Sequence, residues 1–114
     1  MAQPIPESWL EHVIRILETQ DDRQIEWTPP AFQRWKSETF GAWKYEAYEA
    51  MIAALSEEGV EGNETTSMPG QLATYEFLFH LGGKRMYGKI ALRNDRMRIL
   101  ILSAHRAERD TLRP

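Results

Sequence analysis

The hydrophobic pattern of this chain changes its period once, across a polar stretch at residues 59–70. Before that stretch, apolar residues recur about every 3.6 positions, which predicts amphipathic helices; after it they alternate with polar residues, which predicts strands. The stretch is rich in Gly, Glu, Thr and Ser and ends with Pro69-Gly70, so a loop is expected there. We therefore expect an α+β fold, with helices at about 8–58 and a sheet and tail at 71–114.

The length of 114 residues and a hydrophobic fraction of 42% suit one domain, 1–114, with one core. Ser8 and Glu11 have the spacing of a capping box, Pro29-Pro30 is tolerated in a first helical turn, and Gly59 is a natural helix stop. The expected elements are a helix at Ser8–Gln20, a short strand at Gln24–Trp27, a short helix at Pro30–Glu38 and a longer helix at Phe40–Glu58.

Gly82-Gly83 separates two alternating runs and predicts a two-residue hairpin turn, because both positions tolerate positive φ. Asn94-Asp95 predicts a second turn of the same kind. The expected strands are Leu72–Leu81, Lys84–Leu92 and Arg96–Ser103, forming an antiparallel meander. For the tail from Ala104, a short helix and an edge strand both remain open.

The two predicted turns fix a register that can be tested. The first pairs Leu81 with Lys84 and Tyr75 with Ile90, and the second pairs Leu92 with Met97 and Ile90 with Ile99. One face then collects apolar residues: Tyr75, Phe77, Phe79, Met86, Ile90, Leu92, Met97, Ile99 and Ile101. The other collects Glu76, His80, Arg85, Tyr87, Lys89 and Arg98. We expect the N-terminal helices to pack on the apolar face.

Charge is divided between the two halves of the chain. Residues 1–83 hold 5 basic and 14 acidic residues, a balance of −9, whereas residues 84–114 hold 9 basic and 3 acidic residues, a balance of +6. The total of −3 therefore excludes a uniformly basic nucleic-acid binder but leaves room for a local phosphate-binding surface.

Several classes of protein are excluded by what the sequence lacks. Without cysteine there is no disulfide scaffold, thiol nucleophile or Cys-ligated zinc. No apolar run approaches about 18 residues, and Met1–Glu7 does not resemble a secretory signal, so we expect a cytoplasmic protein without a membrane span. No metal-ligand spacing or phosphate-binding loop is present, so no metal or cofactor is expected.

The polar sheet face is the main candidate site. Cleaving RNA without a metal needs a base for the 2′-OH, an acid for the leaving 5′-oxygen, and cations for the phosphate. Glu76 or His80 could be the base and His105 or His80 the acid. The remaining candidates for phosphate or RNA binding are Arg85, Tyr87, Lys89, Arg98 and Arg106. The alternative is an ordinary solvated face, in which Glu76 and Lys89 are a simple cross-strand pair.

Other chemistry-bearing residues favour structural roles. His12 lies beside the apolar stripe of the first helix and is expected to be structural. The aromatic residues between Trp27 and Trp43 could stack bases, but they lie in the acidic half and are better explained as core and partner surface. The acidic side of the third helix is expected to be a solvated face or, less simply, the surface that meets a basic partner.

The segments Tyr75-Glu76-Phe77-Leu78-Phe79-His80 and Arg98-Ile99-Leu100-Ile101-Leu102-Ser103-Ala104-His105-Arg106-Ala107 carry a family resemblance. Together with Gly82-Gly83-Lys84-Arg85-Met86-Tyr87-Gly88-Lys89-Ile90, this region resembles the small RelE/BrnT-like ribonuclease toxins of bacterial toxin–antitoxin systems. The resemblance implies helices followed by an antiparallel sheet, metal-independent mRNA cleavage and inhibition by a cognate antitoxin. By this resemblance, functional roles are assigned to Arg98, His105 and Arg106, and less directly to His80, Arg85 and Lys89.

Two functions are therefore carried forward. The first is a metal-independent endoribonuclease of toxin type, with RNA and a cognate antitoxin or other small protein as partners. The second is a non-catalytic interaction module, such as an antitoxin, an immunity-type protein or a phage-encoded binder, that uses its acidic aromatic helical half. An oligomer is compatible with both.

Overall fold

A computed structural model describes residues 2–108, in which three helices precede the long strands of a six-stranded sheet. In chain order the elements are β1 (Gln3–Pro4), α1 (Glu7–Thr19), β2 (Ile25–Trp27), α2 (Pro29–Glu38), α3 (Lys44–Leu55), β3 (Glu61–Thr65), β4 (Gln71–Leu81), β5 (Lys84–Arg93) and β6 (Ile99–Arg106). The expected α+β class with N-terminal helices is confirmed.

The expected antiparallel meander forms as β4-β5-β6, but the sheet as a whole is mixed rather than purely antiparallel. Its strand order is β1-β3-β4-β5-β6-β2, and β2 runs parallel to β6 while the other neighbours are antiparallel. The short strand expected near Gln24–Trp27 forms, and it joins the meander as a parallel edge strand after the chain has passed through α1. β2 has three residues, which is too few for the alternation of apolar and polar side chains to predict which strand it pairs with.

The prediction of a loop throughout 59–70 is also wrong, because β3 occupies Glu61–Thr65 and pairs with β4. Gly62 explains the misleading composition. It lies between β1 and β4, and a Cβ atom placed there would collide with the backbone carbonyl oxygen of Glu76 on β4 and come within 2.9 Å of the Ile5 side chain. The glycine that indicated a loop therefore permits a close backbone approach inside a strand.

Helix boundaries differ from the expected ones where the backbone is constrained. Ser8 lies inside α1, which begins at Glu7 after Pro6 and has no side-chain cap, so the capping box is absent. α3 begins only at Lys44, because Phe40 and Gly41 both have left-handed backbones, with φ of 57° and 83°.

The Gly82-Gly83 hairpin is confirmed, with φ of 55° and 82° and the expected register from Leu81↔Lys84 to Tyr75↔Ile90. The Asn94-Asp95 turn is wrong: Leu92 pairs with Ile99, and Met97 lies exposed in a longer turn. A bulge between Lys89 and Ile90 then shifts the pairing again.

The helices cover one face of the sheet and bury its apolar side chains. The largest fully buried side chains include Trp35, Tyr48, Phe77, Phe79, Met86, Ile90, Ile99 and Ile101. Each of the last six belongs to the face that alternation assigned to the core, so that assignment is confirmed except at Met97.

Candidate functional site on the open sheet face

The face of the sheet that points away from the helices carries most of the predicted site residues. Directly opposite residues of antiparallel strands share a face. The pairs Glu76↔Lys89, Leu78↔Tyr87 and His80↔Arg85 join β4 to β5 on this face, and Lys89↔Ser103 and Tyr87↔His105 join β5 to β6.

One end of this face is covered and the other is open. Thr74 and Ala91 are fully buried there although no helix packs on that side, and the Ser67 hydroxyl lies 3.0 Å from the Thr74 hydroxyl. The segment before β4 therefore folds over that end. The predicted residues occupy the open end nearer the Gly82-Gly83 hairpin.

Glu76 is held by two neighbouring strands. The Tyr87 hydroxyl donates a short hydrogen bond to Oε2 of Glu76, and the Asn63 amide donates one of 3.1 Å to Oε1. Both carboxylate oxygens are thereby oriented from either side. Asn63 was missed by sequence analysis, because it lies in the stretch expected to be a loop, and no local signal marks it as a strand residue opposite Glu76.

Tyr87 links the carboxylate to the imidazole of His105. Burial, the hydrogen bond to Glu76 and the charge of that carboxylate together raise the pKa of the Tyr87 phenol well above its usual value. The phenol consequently keeps its proton at neutral pH. Its ring lies 5.1 Å from the His105 ring, measured between centroids, at an interplanar angle of 32°.

The backbone fixes which nitrogen of His105 can exchange a proton. Nδ1 lies 2.9 Å from the carbonyl oxygen of Arg106, and a carbonyl can only accept. Nδ1 therefore carries a hydrogen and donates it, which leaves Nε2 as the nitrogen available to a substrate.

A contact from α2 anchors the strand end that carries His105. The backbone N–H of Arg106 donates to Oε1 of Glu38 at 2.9 Å, and the Arg34 guanidinium donates to Oε2 at 2.6 Å and to Glu108 at 3.0 Å. Burial raises the pKa of Glu38, but the hydrogen bonds from Arg34 and Arg106 outweigh it and hold that pKa below its usual value. This contact joins residues far apart in sequence, so sequence analysis missed it.

The other predicted residues divide into two groups. His80, Arg85 and Lys89 lie on the open face, the first two exposed beside the hairpin and Lys89 half-buried. Arg98 lies outside β6, in the turn before it, where it pairs with Asp95 at 2.9 Å. Arg106 is exposed at the end of β6, opposite the core residue Met86 rather than on the open face.

The helical half holds its predicted residues in mostly structural contacts. Trp35 and Tyr48 are buried, and the Trp27 indole donates to the Tyr48 hydroxyl at 2.9 Å. His12 uses Nδ1 in a 2.7 Å contact with the Ser8 carbonyl within α1. Phe40 and Trp43, in contrast, are 90% and 71% exposed.

Comparison with family models, curated proteins and solved structures finds no match to this chain. Among residues 2–108, no group of three His, Asp or Glu side chains is arranged to hold a metal ion. No helix in that range combines the length and apolar character needed to cross a membrane.

Proposed function

We propose that the protein is a metal-independent endoribonuclease of toxin type, which cleaves mRNA by attack of a 2′-hydroxyl. The observation that carries the proposal is the placement of Glu76 on β4, Arg85 and Lys89 on β5, and His105 on β6, all on the open face. A carboxylate, two cations and an imidazole thus come from three adjacent strands.

The spacing of these strands suits a bound phosphodiester. Neighbouring strands lie about 4.8 Å apart, so the backbones of β4 and β6 are about 10 Å apart. A phosphate above β5 would have Glu76 on one side and His105 on the other. The Tyr87 ring would lie beneath it, and Arg85 and Lys89, two positions to either side of Tyr87 on β5, would reach its oxygens, where charge accumulates as the phosphate is attacked.

Each side chain then has a role in which every proton that is removed or donated is accounted for. Glu76 takes the proton of the 2′-hydroxyl, and the 2′-oxygen forms a bond to phosphorus as the bond to the 5′-oxygen breaks. His105, protonated, gives its Nε2 proton to the leaving 5′-oxygen. Arg85 and Lys89 hold the non-bridging oxygens, and Tyr87 is a positioning residue that orients Glu76.

The products are a 2′,3′-cyclic phosphate and a 5′-hydroxyl end. A cognate antitoxin would keep such an enzyme inactive in the cell by covering the open face. The resemblance of β4–β6 to RelE/BrnT-like toxins supports this part of the proposal.

The test is cleavage of RNA in the presence of EDTA, with the ends of the products identified. We expect His105→Asn and Glu76→Gln each to lower the cleavage rate by about 10²-fold or more. His12→Asn is the matched control, because His12 also contacts a backbone carbonyl through Nδ1 but lies on α1, away from the open face. Circular dichroism checks that each variant folds.

RNA that stays intact at high protein concentration, with and without Mg²⁺, would exclude the ribonuclease. Equal activity of the His105 and His12 variants would exclude the assigned site.

The exposed aromatic side chains favour a second candidate, the non-catalytic interaction module. Phe40 and Trp43 lie on the surface between α2 and α3, and large exposed aromatics are typical of protein interfaces. This candidate expects Trp43→Ser to abolish capture of a co-expressed neighbouring protein, while His105→Asn leaves that capture unchanged.

A further inference from the structure

A groove of about 850 Å³ lies between the outer side of α1 and the end of α3, away from the open sheet face. Its apolar lining comes from Ile5, Leu10, Ile14, Leu55 and Val60. Leu10, Ile14 and Val60 are only half-buried, so the groove offers apolar surface to a partner. None of these residues takes part in the proposed ribonuclease site.

The edges of the groove are acidic. Five exposed carboxylates line it: Glu7, Glu11 and Glu18 from α1, and Glu57 and Glu58 after α3. Arg15 is the one cation in the lining, and none of the five carboxylates forms an ion pair with another residue in 2–108. Like charges gathered on one groove repel each other, and a basic ligand would relieve that repulsion.

The shape of the groove suits a helix. Residues 7, 10, 11, 14, 15 and 18 of α1 line it at the spacing of one helix face, so its acidic and apolar side chains form a continuous stripe. From Glu7 to Glu18 the rise is about 16 Å, at 1.5 Å per residue. That length matches about three turns of a second helix.

We infer that this groove binds a basic amphipathic helix of a partner protein. The apolar side of such a helix would pack on Leu10 and Ile14, and its Lys or Arg residues would reach the carboxylates on both edges. Nucleic acid is disfavoured by the same carboxylates. Of the three helices in 2–108, α2 alone holds more basic than acidic residues, and its apolar residues Ala31 and Trp35 are buried in this chain's own core, so a second copy of this chain does not supply the ligand from its helices. The inference is independent of the ribonuclease proposal, since the two sites share no residue.

The experiment measures binding of a synthetic, labelled peptide of about 12 residues by fluorescence anisotropy, using the full chain. The peptide carries Leu at the spacing of one helix face and Lys at the other positions. Two further peptides serve as comparisons: one with Glu in place of Lys, and one with the basic sequence scrambled to remove the apolar face.

Glu11→Lys tests the groove, and Glu49→Lys is its matched control. Both residues are exposed glutamates on helices, so both substitutions change the net charge equally, but Glu49 does not line the groove. We expect Glu11→Lys to weaken binding of the basic peptide by about tenfold or more, and Glu49→Lys by less than about twofold. Ile14→Asp should weaken binding even at high salt, where charge is screened.

Four outcomes would overturn the inference. The first is that the acidic or the scrambled peptide binds as tightly as the basic one, and the second is that Glu11→Lys and Glu49→Lys weaken binding of the basic peptide equally. The third is that the basic peptide does not bind at about millimolar concentration. The fourth is that the chain self-associates and Glu11→Lys abolishes that self-association. The RNA cleavage assay is a separate measurement, so its failure leaves this result intact and the reverse also holds.

Discussion

The phenol of Tyr87 donates its hydrogen bond to Glu76 diagonally across β4 and β5, since Glu76 stands opposite Lys89 and Tyr87 stands opposite Leu78. Diagonal neighbours on a sheet face are within reach of aromatic side chains. The same ring contacts His105 on the next strand. Tyr87 therefore sets the relative positions of the two groups proposed as base and acid.

Removing the Tyr87 hydroxyl should impair turnover more than binding. In Tyr87→Phe the ring beside His105 remains, but Glu76 loses one of its two orienting donors. We expect kcat for RNA cleavage to fall by about tenfold to a hundredfold, as for loss of a hydrogen bond to a charged group, with KM changed by less than about threefold. Steady-state kinetics on a short RNA would measure both constants. Wild-type kcat in this variant would refute the positioning role.

The same phenol should make stability depend on alkaline pH. Because the pKa of Tyr87 is higher in the folded protein than in the unfolded chain, its contribution to stability is fully present below about pH 10. That contribution is lost as pH rises from there through the folded pKa. We expect the difference in unfolding free energy between wild type and Tyr87→Phe to shrink above about pH 10, as measured by urea denaturation. Burial also raises the pKa values of Tyr48 and Tyr75, but both residues are present in both proteins, so their contributions to the difference cancel. A constant difference across that range would contradict the assignment.

The parts of the fold that sequence predicts well are those that local chemistry determines. Gly82-Gly83 needs only positive φ at both positions to form its turn, so the register of β4 against β5 follows directly. This register correctly predicts that five polar residues share one face: Glu76, His80, Arg85, Tyr87 and Lys89.

The remaining parts depend on contacts between distant residues. His105 reaches the open face only because β6 continues to Arg106 and a bulge at Lys89/Ile90 shifts its pairing, and neither feature has a signal in the local sequence. The longer turn depends on side-chain contacts such as Asp95 with Met97 and Arg98, which take Arg98 away from the site. A short polar strand such as β3 resembles a loop in sequence, because its pairing with β1 and β4, rather than its own residues, makes it a strand.

Glu38 should stabilise the strand end that carries His105. Its carboxylate accepts from the Arg34 guanidinium and the Arg106 backbone, so we expect Glu38→Gln to lower the unfolding free energy by about 1–2 kcal/mol at neutral pH. The pKa of Glu38 is lower in the folded protein, so its contribution is present above about pH 4.3 and is lost as pH falls through the folded value.

The difference in unfolding free energy between wild type and Glu38→Gln should accordingly become smaller at acidic pH, as urea denaturation at several pH values would measure. Glu49→Gln, on the exposed side of α3, is the control and should show no such difference. Hydrogen exchange supplies a local readout, because the Arg106 amide should exchange faster in Glu38→Gln. Unchanged exchange at Arg106 would show that Glu38 does not anchor β6.

Phe40 combines two features that cost stability. Its backbone is left-handed, with φ of 57°, and its side chain is 90% exposed, so the ring gains little from burial. The contact of the Lys84 ammonium with the Phe40 ring, 5.6 Å from the centroid, offsets only part of that cost. Asn tolerates a left-handed backbone better than Phe, so we expect Phe40→Asn to raise the unfolding free energy by about 0.5 kcal/mol.

Met97→Asn is the control for that measurement, because Met97 is 64% exposed but does not have a positive φ. This substitution should not raise the unfolding free energy. A gain at Phe40 alone would mean that the chain keeps an aromatic residue there against its own stability, which is the pattern expected of a binding residue. Phe40→Asn should then also weaken capture of a partner by the aromatic surface between α2 and α3. A loss of stability in Phe40→Asn would instead show that the exposed ring supports the fold through its contact with Lys84.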